Sequence, residues 1–301
     1  MASLNEIKGK IASVRSTLKI TSAMKMVASA KLHRAQASIG NLLPYEEHLH
    51  HILLSLISDV AEIAEKDPYA VTADLSSERK VSKVAILSFA SNSSLCGGFN
   101  ANAIKNTISV IDEYRSSGIS KSAITVYSVG RKMETAMRKL GYRSPNDYSK
   151  LSDKPDYESS ASLAEQLMSG FMSGLYDKVE ILYNHYASTA SQPFVREKYL
   201  PLDVSGRSPQ TIDKSRHIPS YIVEPDRDSL LNELISKVLR LKIYTVLLDT
   251  AAAEHAARTV AMQTATDNGN EILQDLTLEY NKGRQQKITN EILDIVAGSQ
   301  Q

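Results

Sequence analysis

With 301 residues, 42% of them hydrophobic, the chain is long enough for two domains and apolar enough to bury a core. A formal net charge of +1 carries no overall bias toward nucleic acid, and a single cysteine, Cys96, excludes an internal disulfide and fits a reducing compartment. No apolar run reaches the roughly 18 residues of a membrane-spanning helix, and the polar, charged start is not a secretory signal.

The first predicted element is a helix from about Leu4 to Ala64. Alternating steps of four and three from Ile7 pass through Ile11, Val14, Leu18, Thr21, Lys25, Ala28, Leu32, Ala35, Ile39, Leu42, Glu46, Leu49, Leu53, Leu56, Val60 and Ile63. Only Thr21, Lys25 and Glu46 interrupt this apolar line, which is a coiled-coil seam. Pro44 removes one helical hydrogen bond and predicts a kink, and Asp67-Pro68 ends the helix. The first 40 residues hold seven basic side chains (Lys8, Lys10, Arg15, Lys19, Lys25, Lys31, Arg34) against one acid, Glu6. A mitochondrial transit peptide has this bias, but the seam runs unbroken past any plausible cleavage point.

After a polar connector at 66–80 the period changes. Val81–Ala90 reads as a buried strand, followed by a turn at Asn92–Gly98 and a helix over about Asn100–Ser117. Ala123–Val129 is a second strand, and Arg131–Leu140 a short helix with Gly141 as its C-terminal cap. Pro145–Asp156 is loop-rich, Ala161–Tyr176 a helix, Val179–Tyr186 a strand, and Phe194–Leu202 a further strand. Ser205–Pro219 is a polar loop, and Tyr221–Val223 returns to the sheet. The alternation is that of an α/β domain.

The last element is a single helix from about Pro225 to Val296, opened by Glu224-Pro225-Asp226 and free of any later proline. Its seam runs through Leu231, Leu234, Val238, Leu241, Thr245, Leu248 and Ala252. It turns small and polar at His255, Thr259, Thr266 and Gly269, recovers at Leu273, Leu276 and Tyr280, slips register near Arg284, and ends at Ile288, Ile292 and Ile295. About 70 residues at a rise of about 1.5 Å give a rod of about 105 Å, against a radius of gyration of about 19 Å for a compact chain of this length. Part of the helix must therefore project. The fold predicted is an antiparallel coiled coil of long N- and C-terminal helices (1–65 and 225–298) with an inserted Rossmann-like α/β domain (81–223).

The candidate chemistry is sparse. Leu95-Cys96-Gly97-Gly98-Phe99-Asn100 lies between a strand and a helix, where glycines let backbone N–H groups cradle a phosphate, yet neither G-x-G-x-x-G nor G-K-[ST] is present. A tight, closely packed turn is the simpler reading. Cys96 has no CxxC partner and reads as a buried structural thiol. His48, His50 and His51, with Glu47, sit on one helix, which supplies too few metal ligands. Glu254-His255 falls among alanines at a packing position. The basic first helix has the charge to meet DNA phosphates, an anionic membrane or acidic protein loops, with no aromatic residue interleaved over 1–40. No catalytic constellation, metal site or cofactor site emerges.

Ile11-Ala12-Ser13-Val14 followed by Lys19-Ile20-Thr21-Ser22-Ala23-Met24-Lys25-Met26-Val27-Ala28 resembles the N-terminal signature of the gamma subunit of F-type ATP synthases. Leu95-Cys96-Gly97-Gly98 sits where that family has its glycine turn. Glu254-His255-Ala256-Ala257-Arg258, Ala265-Thr266-Asp267-Asn268, Tyr280-Asn281-Lys282 and Arg284-Gln285 through Ile288-Thr289 and Glu291 resemble its C-terminal signature. The family's Asp-Arg-Gly before the turn is replaced by Asn92-Ser93-Ser94, the 205–219 loop fits no family pattern, and the cysteine pair of redox-regulated chloroplast forms is missing. A start directly at the first helix suggests a bacterial protein.

The resemblance implies a non-catalytic central shaft that couples proton flow to ATP synthesis. One copy would stand inside a hexamer of three alpha and three beta subunits, with the epsilon subunit and the membrane c-ring below, on the cytoplasmic side of a bacterial inner membrane. It implies contacts of Arg284 and Gln285 with the beta-subunit catch loop, of Met24, Lys25 and Arg258 with an acidic beta segment, and of Ile292, Ile295 and Val296 with an apolar bearing. It implies no cofactor and no nucleic acid. The alternative readings are a homo-oligomeric coiled-coil scaffold binding nucleic acid or anionic membrane, and a nucleotide-dependent enzyme built on the α/β domain.

Overall fold

The computed structural model describes residues 3–63, 75, 77–202, 224 and 227–299. The predicted features at 66–74, the 205–219 loop, Tyr221–Val223 and Pro225-Asp226 lie outside the described residues. The elements run α1 (Leu4–Ile63), β1 (Val84–Phe89), α2 (Phe99–Ser116), a 3-10 turn (Lys121–Ala123), β2 (Ile124–Val129), α3 (Arg131–Lys139), α4 (Ser149–Asp153), α5 (Tyr157–Met172), β3 (Lys178–Asn184), β4 (Phe194–Leu200) and α6 (Arg227–Ser299). The contacts divide the chain into two units, one of 1–30 with 258–301 and the other of 31–257.

In the larger unit a four-stranded sheet has the order β2-β1-β3-β4, with β2, β1 and β3 parallel and β4 antiparallel at the edge. All of β1 is buried, as its continuous Val84-Ala85-Ile86-Leu87 core requires of a strand covered on both faces. Alternate residues serve opposite layers. Val84 and Ile86, with Val126, meet Ala103, Val110 and Ile111 of α2 and Met133 and Met137 of α3. Ala85, Leu87 and Phe89, with Ile181 of β3, meet Leu163, Leu167 and Phe171 of α5, the α1 residues Leu49, Leu53 and Leu56, and the α6 residues Leu231 to Leu247. The sheet is thus a middle layer, and the lower turns of both long helices help cover one face.

α5 begins four residues before its predicted start because Asp156 caps it, its carboxylate accepting from the Ser159 N–H at 2.9 Å. It stops at Met172, where Gly174 turns left-handed at φ 72° and the Leu175 N–H returns to the Gly170 carbonyl. The predicted loop at 145–156 contains the short helix α4. α1 continues as one helix through Pro44.

Polar contacts of Asp249, Leu239 and Lys242 fasten α6 to the sheet. The buried Asp249 carboxylate accepts from the Tyr186 N–H at 2.9 Å and meets His185 Nδ1 at 2.7 Å, just beyond β3. The Tyr199 hydroxyl of β4 donates to the Leu239 carbonyl, and Lys242 pairs with Glu197 at 2.9 Å. Tyr186 also receives a hydrogen bond at its hydroxyl from Gln36 of α1, at 2.8 Å. On β3 the buried Glu180 carboxylate lies between Lys178 (2.7 Å) and Arg196 (2.9 Å), and Arg196 reaches on to Glu113 of α2.

In the smaller unit α1 and α6 run antiparallel. Lys25 meets Gln263, Thr21 meets Thr266, Leu18 lies where a side chain on Gly269 would stand, and Leu4 lies likewise against Gly283. Each described seam residue of α1 from Ile7 to Leu56 is buried or half-buried, while Lys8, Lys10, Arg15, Lys19, Lys31 and Arg34 are exposed. The seam of α6 differs from its predicted course at one end. It closes at Gly283, and Ile288, Ile292 and Ile295 are exposed.

Candidate functional site

A parallel sheet normally receives a ligand beyond the C-terminal ends of its strands, where the crossovers leave on opposite sides. Here that place lies between β1 and β3, and the chain fills it. Cys96 and Phe99 pack against Ala253 of α6, with Tyr186 and Ala257 beside them. The turn is closed by its own polar groups: the Ser91 N–H donates to Asn100 Oδ1 at 2.9 Å, the Ser91 hydroxyl donates to the Ser93 carbonyl at 2.6 Å, and Asn100 Nδ2 lies 3.1 Å from Cys96 Sγ. Leu95 and Gly97 both take left-handed backbone conformations, at φ 68° and 59°. The glycine stretch is a packed turn, and Cys96 is a buried thiol within it.

Asn92 holds this turn to its neighbours. Its Oδ1 accepts from the Arg131 N–H at the start of α3 (2.8 Å), and its Nδ2 donates to the Ser149 carbonyl (2.7 Å). A carboxylate here has no hydrogen to give Ser149, so the amide suits this position. The other candidates are structural or solvated. Glu254 is buried, and His48 and His51 are exposed; the side chains of Glu47 and His50 lie outside the described residues. Among the described residues no cluster of His, Cys, Asp and Glu has metal-binding geometry, and no helix is long and apolar enough to cross a membrane.

The surface of the paired helices remains. Met24, Lys25, Arg258, Arg284, Gln285, Ile292, Ile295 and Val296 all fall in the smaller unit. Met24, Lys25 and Arg258 are half-buried along the pair, and Lys25 reaches across it to Gln263 at 2.6 Å. Arg284 and Gln285 are exposed immediately beyond Gly283, where the pairing ends. Ile292 and Ile295, at 56% and 71% exposure, present bare apolar surface on the last turns of α6. Ile20, Met26 and Val27, which flank the half-buried Met24 and Lys25, are about as bare as Ile292 and Ile295. These three are apolar residues lying off the seam, where a solvated helix face is normally polar. The arrangement offers a two-helix flank with a cationic and apolar patch, and an exposed apolar tip.

A family described as ATP synthase matches residues 3–300 of the chain. Curated relatives include the ATP synthase gamma chains of Phocaeicola vulgatus, 55% identical, and of Bacteroides fragilis, 50% identical, each over 299 residues covering 99% of both sequences. That of Flavobacterium johnsoniae is 37% identical, covering 100% of this chain and 99% of its own. In fold the chain is similar to one in the Euglena gracilis mitochondrial ATP synthase OSCP/F1/c-ring assembly. The TM-score is 0.61 at 19% identity, over 98% of this chain and 92% of that one. A chain of the Tetrahymena thermophila mitochondrial ATP synthase central stalk/c-ring gives a TM-score of 0.54 at 21% identity, over 82% and 99%. At those identities the structural likeness speaks for the fold alone, whereas the curated relatives match from end to end. The chain belongs to the ATP synthase gamma chain family.

Proposed function

We propose that the chain is the central rotating shaft of an F-type ATP synthase, coupling proton flow through the membrane sector to ATP synthesis in a hexamer of three alpha and three beta subunits. The observation that carries this reading is the 55% identity to an ATP synthase gamma chain along the whole length, both long helices included. The chain itself is non-catalytic, and the catalytic sites belong to the beta subunits. The alternative of a homo-oligomeric scaffold finds no support in these relatives.

The physics of the smaller unit suits the role. A shaft must resist twist, and Leu18 seated on Gly269 and Leu4 on Gly283 interlock the two helices in one register. Torque also needs asymmetry about the axis. Two helices up to Gly283, and one beyond it, supply that asymmetry. In this reading Arg284 and Gln285 hydrogen-bond the beta-subunit catch loop. Met24, Lys25 and Arg258, joined by Ile20, Met26 and Val27, face an acidic beta segment. Ile292, Ile295 and Val296 turn in an apolar bearing. The segments are 1–65 and 225–298 for the shaft and 81–223 for the α/β domain, which meets the epsilon subunit and the c-ring. The chain is peripheral, on the cytoplasmic face of a bacterial inner membrane.

The test is co-expression of a tagged chain with the alpha and beta subunits of the same organism, followed by native mass and ATPase assay of the purified material. One copy per three alpha and three beta, with ATPase activity lost when the chain is omitted, supports the shaft. A chain that ignores those subunits and elutes as its own oligomer overturns it.

A further inference from the structure

Gln263 is absent from the contact residues named above, yet it is the side chain that holds one of them. Its amide is engaged at both ends. Oε1 accepts from the Lys25 ammonium across the helix pair at 2.6 Å, and Nε2 donates to Asp267 Oδ1 at 2.8 Å, one turn along α6. Charge fixes the orientation of this amide. Rotated by half a turn, it would set its NH2 against an ammonium and its oxygen against a carboxylate, and both bonds would be lost. Just beyond it, Thr21 and Thr266 lie 3.0 Å apart across the same seam, and Met262 beside Gln263 is buried. The polar layer is therefore bracketed by packed positions that keep the two backbones in register.

A lysine on a helix flank ordinarily samples many rotamers, and a partner that binds it must order it first. Lys25 is ordered already. One ammonium hydrogen is committed to Gln263, which leaves two for an approaching acid. We propose that Gln263 is the positioning residue for Lys25, pinning its ammonium on the flank of the helix pair where an acidic segment of the beta subunit meets it, with Asp267 holding the amide in the receptive orientation. The inference rests on the reading above that Lys25 faces such a segment. A rotating contact is made and broken at every passage, and an ammonium ordered in advance makes each engagement without a fresh loss of side-chain entropy.

Two measurements test this separately. In the isolated full-length chain, limited acetylation with acetic anhydride, read by peptide mass spectrometry, reports how available the Lys25 amine is. Gln263→Met should raise the Lys25 labelling rate about threefold, the amine no longer being held, with Lys19 and Lys31 unchanged. In the assembled complex in sealed vesicles, the ratio of ATP-driven proton uptake to ATP hydrolysed is measured for the wild type, Gln263→Met, Lys25→Met and the double variant. Both single variants should lower the ratio, and the double should be no worse than Lys25→Met. Gln263→Glu keeps the acceptor oxygen toward Lys25 but sets a carboxylate against Asp267, so it should retain most of the wild-type ratio only when combined with Asp267→Asn, which restores a donor there. If Gln263→Met does not assemble, Gln263→Asn replaces it, keeping the amide but withdrawing it by one methylene. Unchanged Lys25 labelling overturns the positioning role, and so do additive losses in the double variant. A wild-type ratio in Lys25→Met overturns the reading of Lys25 itself, and the proposal falls with it.

Discussion

At Gly130 the backbone leaves β2 with φ 99°, and a Cβ there would stand 1.9 Å from the Ala90 carbonyl oxygen. That oxygen accepts from the Ser152 hydroxyl, and the Ala90 N–H donates to the Val129 carbonyl, so neither strand end is free to retreat. Gly130→Ala should destabilise the isolated chain by on the order of 3 kcal/mol in urea unfolding, combining a forbidden conformation with a backbone clash. Glu180 is a second residue with a large local effect. Burial pushes its carboxyl up, but the ion pairs with Lys178 and Arg196 outweigh this and hold it below the ordinary carboxylate range. Its contribution to stability is therefore complete above the unfolded-state value of about 4.3 and disappears as the pH falls through the lower folded value. Glu180→Gln should cost about 3 kcal/mol at neutral pH, because Lys178 loses its carboxylate partner. It should also flatten the acid limb of the stability–pH curve; an acid limb as steep as in the wild type would show that other carboxylates set it. Neither role was legible in the sequence. The sequence shows neither the Ala90 carbonyl that Gly130 must clear nor the approach of Arg196, from β4, to Glu180. Asn92 is the same kind of case, since its partners come from two later elements.

Elements were far more legible than residues, and the reason is periodic burial. The α1 seam could be read because all of its positions but Thr21, Lys25 and Glu46 are apolar, at the spacing of one helix face. Strand β1 could be read because four consecutive apolar residues leave a covered strand as the economical solution. Short elements escaped: α4 has five residues and a single buried one, Leu151, too few to establish a period. The end of the α6 seam escaped for a different reason. Ile288, Ile292 and Ile295 continue the spacing, but a repeat along one helix carries no information about where its partner stops. The exposed tip makes its own prediction. Ile288, Ile292, Leu293 and Ile295 are all exposed, so ending the chain after Lys287 should move the melting temperature of the isolated chain by less than about 2 °C. The assembled complex should nevertheless lose coupled proton pumping. A large fall in melting temperature would instead show that the tip packs within the chain.

For the molecule as a whole, α6 is both a partner of α1 and the cover of the sheet's ligand crevice. That double duty explains why burial on α6 spreads well beyond one stripe between Ile243 and Ala256, where the sequence pattern showed only a seam. It also bears on the nucleotide-enzyme reading: millimolar ATP should leave the melting temperature of the isolated chain unchanged, and a rise would show that the crevice opens. The same arrangement governs how the protein comes into being on the ribosome. Lys25 waits for a partner 238 positions later, and the pocket around Cys96 waits for Ala253. At about 5–20 residues per second, the roughly 150 residues between Cys96 and Ala253 take about 10–30 s to synthesise. Through that interval the nascent sheet has an open apolar crevice and the first helix a bare stripe of leucine and isoleucine. Such surface is prone to aggregate until it is covered, so co-expression of a holding chaperone should raise the soluble yield of the chain.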